Sequence, residues 1–590
     1  MRKRFQLDLQ QAALASLAAI SVATALLWFF WTVIVWSRWH PELPWRDLFV
    51  ILDDLKPLLS GELAWKDAQF LFEAHYAAHR ITLPRLLVYW DMNLFSGQSH
   101  LLYAAGWCSL LFIYLLYSRL VCSYFGQSKA LAWFCIGLVG ILLFSPAHSW
   151  NLINAINTSW HISYALGALA FYLLSRQSGN PGNSVWLLAY SLATVAAFTN
   201  FAGVIVWLLL PTLALRSGRR VLILAICTSA LMTLSYLNGI SSDAEIAASW
   251  SAGNPDVAAK IQQAGKIAIE NNSLLRVFIG TSRVLCWPLS EARSTLGILF
   301  FTTSLLIIAF AWIQFFRAAL AGLRLQPWIE WCLMLATMSL GIGISIQLGR
   351  MIEQPNHAHG PSFERYNTIV AMYWMGTFSI LLSTLPRMPM AAKFATMLLS
   401  IMTIYLLLSP EGRYLKQEIK SVEKATKLFV AGESPELKEK IDKRMLRFKP
   451  EYVYTFEPLF EAKSLAYRAP LQLKDDPKSV QNCDASSFNA LSTVGERDDR
   501  KQIQFIFKYP SSMLIRDIII SRDGAFLGRM HPDHLGNYSP RQLVDPAFNR
   551  WIGYLNRDSS LDDRMRLTFN LIAGVKHECI LPADSLTASL

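Results

Sequence analysis

The feature that most constrains this chain is a series of about eleven nearly uncharged segments, each roughly as long as the twenty apolar residues a helix needs to cross a bilayer. They fall near 12–36, 101–121, 129–145, 160–175, 185–199, 201–215, 221–238, 295–316, 327–348, 367–384 and 391–409. Within hydrocarbon every backbone polar group must be satisfied internally, and runs of this length do so as helices. The expected fold class is therefore a polytopic α-helical membrane protein with about eleven transmembrane helices over 1–410. Composition agrees: 53% of the 590 residues are hydrophobic and 16% charged, where soluble domains carry roughly 25% charged residues. That balance excludes an ordinary soluble enzyme. The first segment is too long for a cleaved leader and no small-residue cleavage site follows it, so it reads as an anchor.

Short loops set the expected orientation. Arg2, Lys3 and Arg4, Arg119 and Lys129, Arg176, Arg216, Arg219 and Arg220, Arg317 and Arg324, and Arg387 and Lys393 all fall on one side of the alternation. Such an excess marks the cytoplasmic side. It also accounts for the net charge of +12, which in a membrane protein meets anionic lipid, so nucleic acid is not an expected partner. The expected localisation is the bacterial inner membrane, multi-pass, with the N-terminus cytoplasmic. An odd number of spans then places the tail in the periplasm.

The tail, 411–590, has a different pattern. A Lys/Glu-rich amphipathic helix is expected at about 411–430. After it, Gln504 to Phe507 and Ile515 to Ile520 alternate as strands, and Arg522-Asp523-Gly524 reads as a hairpin turn. The expectation is a β-rich domain, sandwich-like. Of the eight cysteines, Cys108, Cys122, Cys135, Cys227 and Cys332 lie in or beside apolar spans and Cys286 in the outer segment 239–294, which leaves Cys483 and Cys579 as the two of the tail. In an oxidising compartment two such thiols tend to pair.

Three outer segments are large enough to hold chemistry: 37–100, 239–294 and 349–366. The first carries Asp47, Asp53, Asp54, Asp67, His75, His79 and Arg80. If 65–80 is a helix, Asp67, Leu71, His75 and His79 recur every four residues along one face, with Arg80 beside it. That face could hold a base, a phosphate or a metal; the same spacing also suits a solvated helix lying on the bilayer. No cofactor is called for, and a divalent metal at the paired histidines stays open. The last segment carries Arg350, His357, His359, Arg365 and Tyr366. Arginine's planar fork pairs with phosphate, so Arg350 and Arg365 read as a phosphate clamp at the membrane edge, or as side chains snorkelling to lipid headgroups. In 239–294, Ala258 to Ile269 has helical periodicity and its scattered charges read as solvated faces. The stretch from Ser149 to Asn157 with Trp160 and His161 is polar and aromatic, fit for an aromatic belt or for stacking on a sugar.

An opening span, a long outer loop with an early carboxylate in Trp45-Arg46-Asp47, then His75-Tyr76-Ala77-Ala78-His79-Arg80 before Pro84-Arg85-Leu86, and later Gly349-Arg350 with Ser362-Phe363-Glu364-Arg365-Tyr366, resemble the motifs of bacterial membrane glycosyltransferases of the GT-C superfamily. The resemblance covers roughly 1–410. Ala78 stands where relatives place an acidic residue before the second histidine, which leaves Asp47 as the best single carboxylate. What the resemblance implies is transfer of a sugar, with inversion, from a polyprenyl-phosphate donor to a glycan or lipid acceptor of the cell envelope. It assigns catalysis to Asp47 and His79, and donor-phosphate binding to Arg80, Arg350, Arg365 and Tyr366. Asp53, Asp54 and His75 stand as secondary candidates.

Other classes compete. A lipid-linked glycan transporter or flippase prefers ionisable residues at mid-membrane and related halves; these spans are nearly free of charge and show no repeat. A membrane acyltransferase would also use a histidine near a carboxylate at the bilayer edge. An assembly protein with the tail as its binding module is the remaining class.

Overall fold

A computed structural model describes residues 2–39, 47–75, 79–95, 97, 99–126, 128–145, 151, 154–177, 181–238, 274–287, 294–353 and 366–408, and eight strands in the tail. For 2–10, 35–39, 47, 49–50, 74–75, 79, 274, 276, 294, 349–353, 405–408 and the tail strands it describes the backbone alone. The chain forms two units. The first comprises Met1–His40, Leu63–Tyr89 and His100–Gly412, and the second Pro41–Glu62, Trp90–Ser99 and Arg413–Leu590.

The first unit is a helical bundle. Its helices are α1 (Arg2–Trp39), α4 (His100–Phe125), α5 (Lys129–Leu143), α6 (Thr158–Ser175), α7 (Asn183–Ala197), α8 (Ala202–Ala214), α9 (Arg219–Leu237), α10 (Leu274–Leu285), α11 (Ser294–Leu320), α12 (Pro327–Glu353), α13 (Asn367–Leu382) and α14 (Met390–Leu408). Each of the eleven apolar segments of the sequence coincides with one of these, and α10 is additional. Six are long and apolar enough to cross a membrane. Helices α5, α7, α8 and the span Met390–Ile404 within α14 are shorter apolar ones.

Burial separates the helices by place. In α13, 89% of the most apolar stretch is buried, against 17% in α9. Leu224, Leu231 and Leu234 of α9, and Leu299, Leu306 and Phe310 of α11, stand exposed. An apolar face this large, open on a rim of helices, is a face for lipid. Contacts inside the bundle rely on small residues and hydroxyls, as expected where lipid removes the hydrophobic drive between helices. At Gly376 of α13 an added Cβ would come within 2.6 Å of the Cys332 carbonyl on α12. Tyr164 donates to Ser339 Oγ at 2.9 Å, Ser379 donates to Tyr117 Oη at 3.0 Å, and Trp331 Nε1 donates to the Ala168 carbonyl at 2.8 Å.

The loops gather at two ends. At one end Tyr124 Oη donates to the Ser383 carbonyl at 2.8 Å. There too the Arg216 guanidinium pairs with Glu330, which is fully buried, and donates to the Leu174 carbonyl at 2.8 Å. Arg324 donates to the Ser175 carbonyl at 2.6 Å. Burial and the neighbouring Arg216 pull the Arg324 guanidinium below its ordinary range, and Glu330 opposes them. Arg216 and Arg324 belong to the short loops expected from the charge pattern to be cytoplasmic. At the opposite end Thr32 of α1 donates to the Phe144 carbonyl after α5, at 2.9 Å.

In the second unit, α2 (Asp47–Ser60) buries Leu48, Ile51, Leu52, Leu55, Leu58 and Leu59, the stripe expected of an amphipathic helix. The tail strands are β3 (Gln481–Asn482), β4 (Phe488–Ala490), β5 (Phe505–Phe507), β6 (Ile515–Arg522), β7 (Ala525–Pro532), β8 (Trp551–Gly553), β9 (Met565–Leu571) and β10 (Lys576–Ile580). Six form one sheet in the order β3-β10-β9-β6-β7-β8, and β4 pairs with β5. All pairings are antiparallel except β3 with β10. Strands β6 and β7 pair antiparallel with Arg522 opposite Ala525; Asp523 and Gly524 of the expected turn lie outside the described residues. The helix expected at 411–430 and the periodic stretch Ala258 to Ile269 lie outside the described residues.

Candidate functional site

The first outer loop does not form the single helix over 65–80 that would align Asp67, His75 and His79. A 3-10 helix covers Trp65–Phe72, with Ala68 already out of helical conformation, and Glu73 is extended. A short hairpin follows, β1 (Ala74–His75) against β2 (His79–Arg80), with Ala74 opposite Arg80 and His75 opposite His79. The physical reason is competition for carbonyls. Continuing an α-helix requires the Leu71 carbonyl to accept from the His75 N–H. Thr82 Oγ1, at the start of α3 (Thr82–Leu94), occupies it at 2.8 Å and Arg85 at 3.2 Å, and Arg85 also donates to the Phe70 carbonyl at 2.9 Å and the Glu73 carbonyl at 2.8 Å. Arg85 is 3% exposed. The shared face of Asp67, His75 and His79 therefore does not form: Asp67 is exposed on the 3-10 helix, while the two histidines come together as an opposed backbone pair. Among the described residues no group of three or more His, Cys, Asp or Glu could hold a metal.

Arg80 leaves this hairpin toward the end of α9. Its Nε donates to the Tyr236 carbonyl at 3.1 Å, and its two terminal nitrogens donate to the carbonyls of Phe72 and Asn238. Its backbone N–H donates to Tyr236 Oη at 3.0 Å, and the guanidinium lies 5.8 Å from the centre of that ring. A cation on the last carbonyls of a helix complements the negative end of its dipole.

Arg350 lies in the last turn of α12 and Tyr366 immediately precedes α13. These helices run antiparallel, so both positions fall at the end of the bundle that also holds the hairpin. Tyr366 is buried and meets Trp160 edge-on at 6.3 Å and 86°. Arg365 lies outside the described residues. Around the start of α6, Asn157 Nδ2 donates to Asn151 Oδ1 at 3.3 Å, and Asn151 Nδ2 donates to Thr368 Oγ1 of α13 at 2.9 Å. Asn200 Nδ2 donates to Ser159 Oγ at 3.2 Å.

The other carboxylates singled out in the sequence, Asp47, Asp53 and Asp54, sit on α2 in the second unit. Asp47 opens the helix, and Asp54, seven residues later, follows it along the same line by helical period. Asp53 is exposed on another face and Asp54 is half-buried. A further carboxylate, Asp91, is buried in the same unit. Its Oδ2 accepts the Ser99 N–H at 2.5 Å, and its carbonyl accepts the N–H groups of Phe95 and Gly97. Ser99 has a positive φ of 60°, so Asp91 closes a tight turn.

Three elements escaped sequence reasoning. The capping by Arg85 depends on a turn that no periodicity marks. The pairing of Asn151 with Thr368 spans 217 residues. Asp91 reaches forward eight residues to its donor. The three-residue spacing of Asn151, Asn154 and Asn157 was the one local signal available.

The fold and these buried polar ends define the class: a polytopic helical membrane protein with a polar site at one end of its bundle. No protein-family model matches the chain, and no curated protein matches it. Among solved structures the chain is similar to the crystal structure of ArnT from Cupriavidus metallidurans bound to undecaprenyl phosphate. The match has 14% identity and a TM-score of 0.35, over 78% of this chain and 82% of that one. At that score the likeness carries neither a residue role nor an activity to this chain.

Proposed function

We propose that the protein transfers a sugar from a polyprenyl-phosphate donor to a cell-envelope glycan or lipid acceptor on the periplasmic face. The observation that carries the reading is the company at one end of the bundle. Arg80, the turn bearing Arg350, Tyr366 with Trp160, and the paired histidine positions all belong to that end, on a bundle whose rim is apolar. A lipid phosphate sits at headgroup level with its chain in hydrocarbon, and cations beside an apolar rim answer both halves of such a molecule.

In this reading Asp47 takes the proton from the acceptor hydroxyl. The oxygen attacks the anomeric carbon, its bond to the phosphate breaks, and polyprenyl phosphate leaves. One displacement of this kind inverts the anomeric centre. Arg350 and Arg365 hold the departing phosphate by bidentate bonds. Arg80, its fork already engaged by three carbonyls, contributes charge. Tyr366 lines the same end, and His79 is the second catalytic residue of this reading, with His75, Asp53 and Asp54 in reserve. The tail is a periplasmic β-rich, sandwich-like domain. Incubating the purified protein with a radiolabelled polyprenyl-phosphate sugar and an envelope extract tests the proposal. Transfer of label with release of polyprenyl phosphate is expected; intact donor with acyl transfer or vesicle uptake instead would replace it by a rival class.

A further inference from the structure

We infer that the amide cluster at the start of α6 is a pyranose-binding site, in which Asn154 accepts a sugar hydroxyl and Trp160 covers the ring. The inference deepens the sugar-transfer reading and rests on it for where the sugar comes from.

Asn151, Asn154 and Asn157 are 0%, 3% and 7% exposed. Two of them are committed to each other and to Thr368. Asn154 is different. Its backbone carbonyl accepts the Asn157 N–H at 2.9 Å, which closes the turn, but its side-chain Oδ1 is buried and no donor among the described residues reaches it. A buried acceptor without a donor is costly, and native structures keep few of them without a role. Exchanging the amide's oxygen and nitrogen would place a donor there instead, and either atom is half of what a hydroxyl needs.

Trp160, in the first turn of α6, is half-buried, one edge against Tyr366. A pyranose has a rim of hydroxyls that both donate and accept, and flat faces of C–H groups. Amides match the first and an indole face matches the second. The cluster suits other ligands poorly. A prenyl chain has no use for amides, and among the described residues no Lys or Arg donates into this group, as a phosphate would require. The sugar is either the one carried by the donor or one of the acceptor glycan.

The test uses the full-length protein in lipid nanodiscs. Methyl glucopyranoside, methyl mannopyranoside and methyl galactopyranoside are each titrated to millimolar concentration, and thermal stability is followed. At least one is expected to raise the melting temperature of the wild type. Asn154→Ala and Trp160→Ala, each read against its own melting temperature without sugar, should lose that shift. Asn154→Ala keeps the carbonyl that closes the turn, and Asn154→Gln, which retains the amide, should regain part of the shift. Equal shifts in wild type and Asn154→Ala would overturn the inference, as would no shift with any of the three sugars. Transfer assays then separate the two sources: a KM raised about tenfold for the polyprenyl-phosphate sugar assigns the site to the donor, and the same rise for the acceptor assigns it there. If sugars bind through Asn154 while wild type transfers no label, the transferase reading fails and the sugar site stands.

Discussion

Arg80 gives the sharpest handle on how the hairpin is held. Its guanidinium donates to three carbonyls, those of Phe72, Tyr236 and Asn238, and so ties the first outer loop to the end of α9. Lysine keeps the charge but has a single nitrogen, which serves one such acceptor in this geometry. Two charge-assisted bonds are lost. Each is worth about 1.5–3 kcal/mol when buried, and because Arg80 is only partly buried the low end applies, giving about 2–3 kcal/mol of local stability in Arg80→Lys. Hydrogen exchange in nanodiscs reads this directly. Amides of the hairpin and of the last turn of α9 should exchange roughly 30- to 150-fold faster, while those of α13 stay as they are. Unchanged exchange at both places would refute the clamp and leave Arg80 a residue of the donor site alone.

Asp47→Asn keeps shape and removes basicity, so turnover should fall by about two to four orders of magnitude with the thermal transition intact; full activity would move the base to Asp53 or Asp54. Arg350→Lys and Arg365→Lys should each weaken donor binding by about 1–3 kcal/mol through loss of the bidentate fork, and normal donor affinity in both would favour headgroup snorkelling. Glu330→Ala strands the buried Arg216 guanidinium and should cost about 3–5 kcal/mol, whereas Glu330→Leu with Arg216→Met should come within about 1 kcal/mol of wild type. A loss below about 1 kcal/mol in Glu330→Ala would mean that the pair is solvated. In the tail, Cys579 stands opposite Gln481, two residues before Cys483. A bridge between them would close about 96 residues and add about 4–5 kcal/mol in the chain-entropy model. Alkylating the unfolded, unreduced protein should leave both unlabelled, and labelling of the two would exclude the bridge.

Hydropathy alone located eleven helices of the bundle and missed α10, because whether about twenty residues form a span depends on those residues and on lipid, with little help from neighbours. The strand pair around Arg522-Asp523-Gly524 was legible for a similar reason: alternation and turn chemistry are local. Which helices stand at the centre was not legible. Helix α13 and helix α9 are both apolar all round, so no amphipathic stripe records that one is enclosed by protein and the other by lipid. The break after Phe72 was equally invisible, since 65–80 carries a helical period and the groups that end the helix, Thr82 and Arg85, act from the following element. The same holds for the site. The residue types that suit phosphate and sugar can be read from the chain, but the bond from Asn151 to Thr368, the grip of Arg80 on the end of α9, and the lone acceptor of Asn154 arise only where distant segments are packed together.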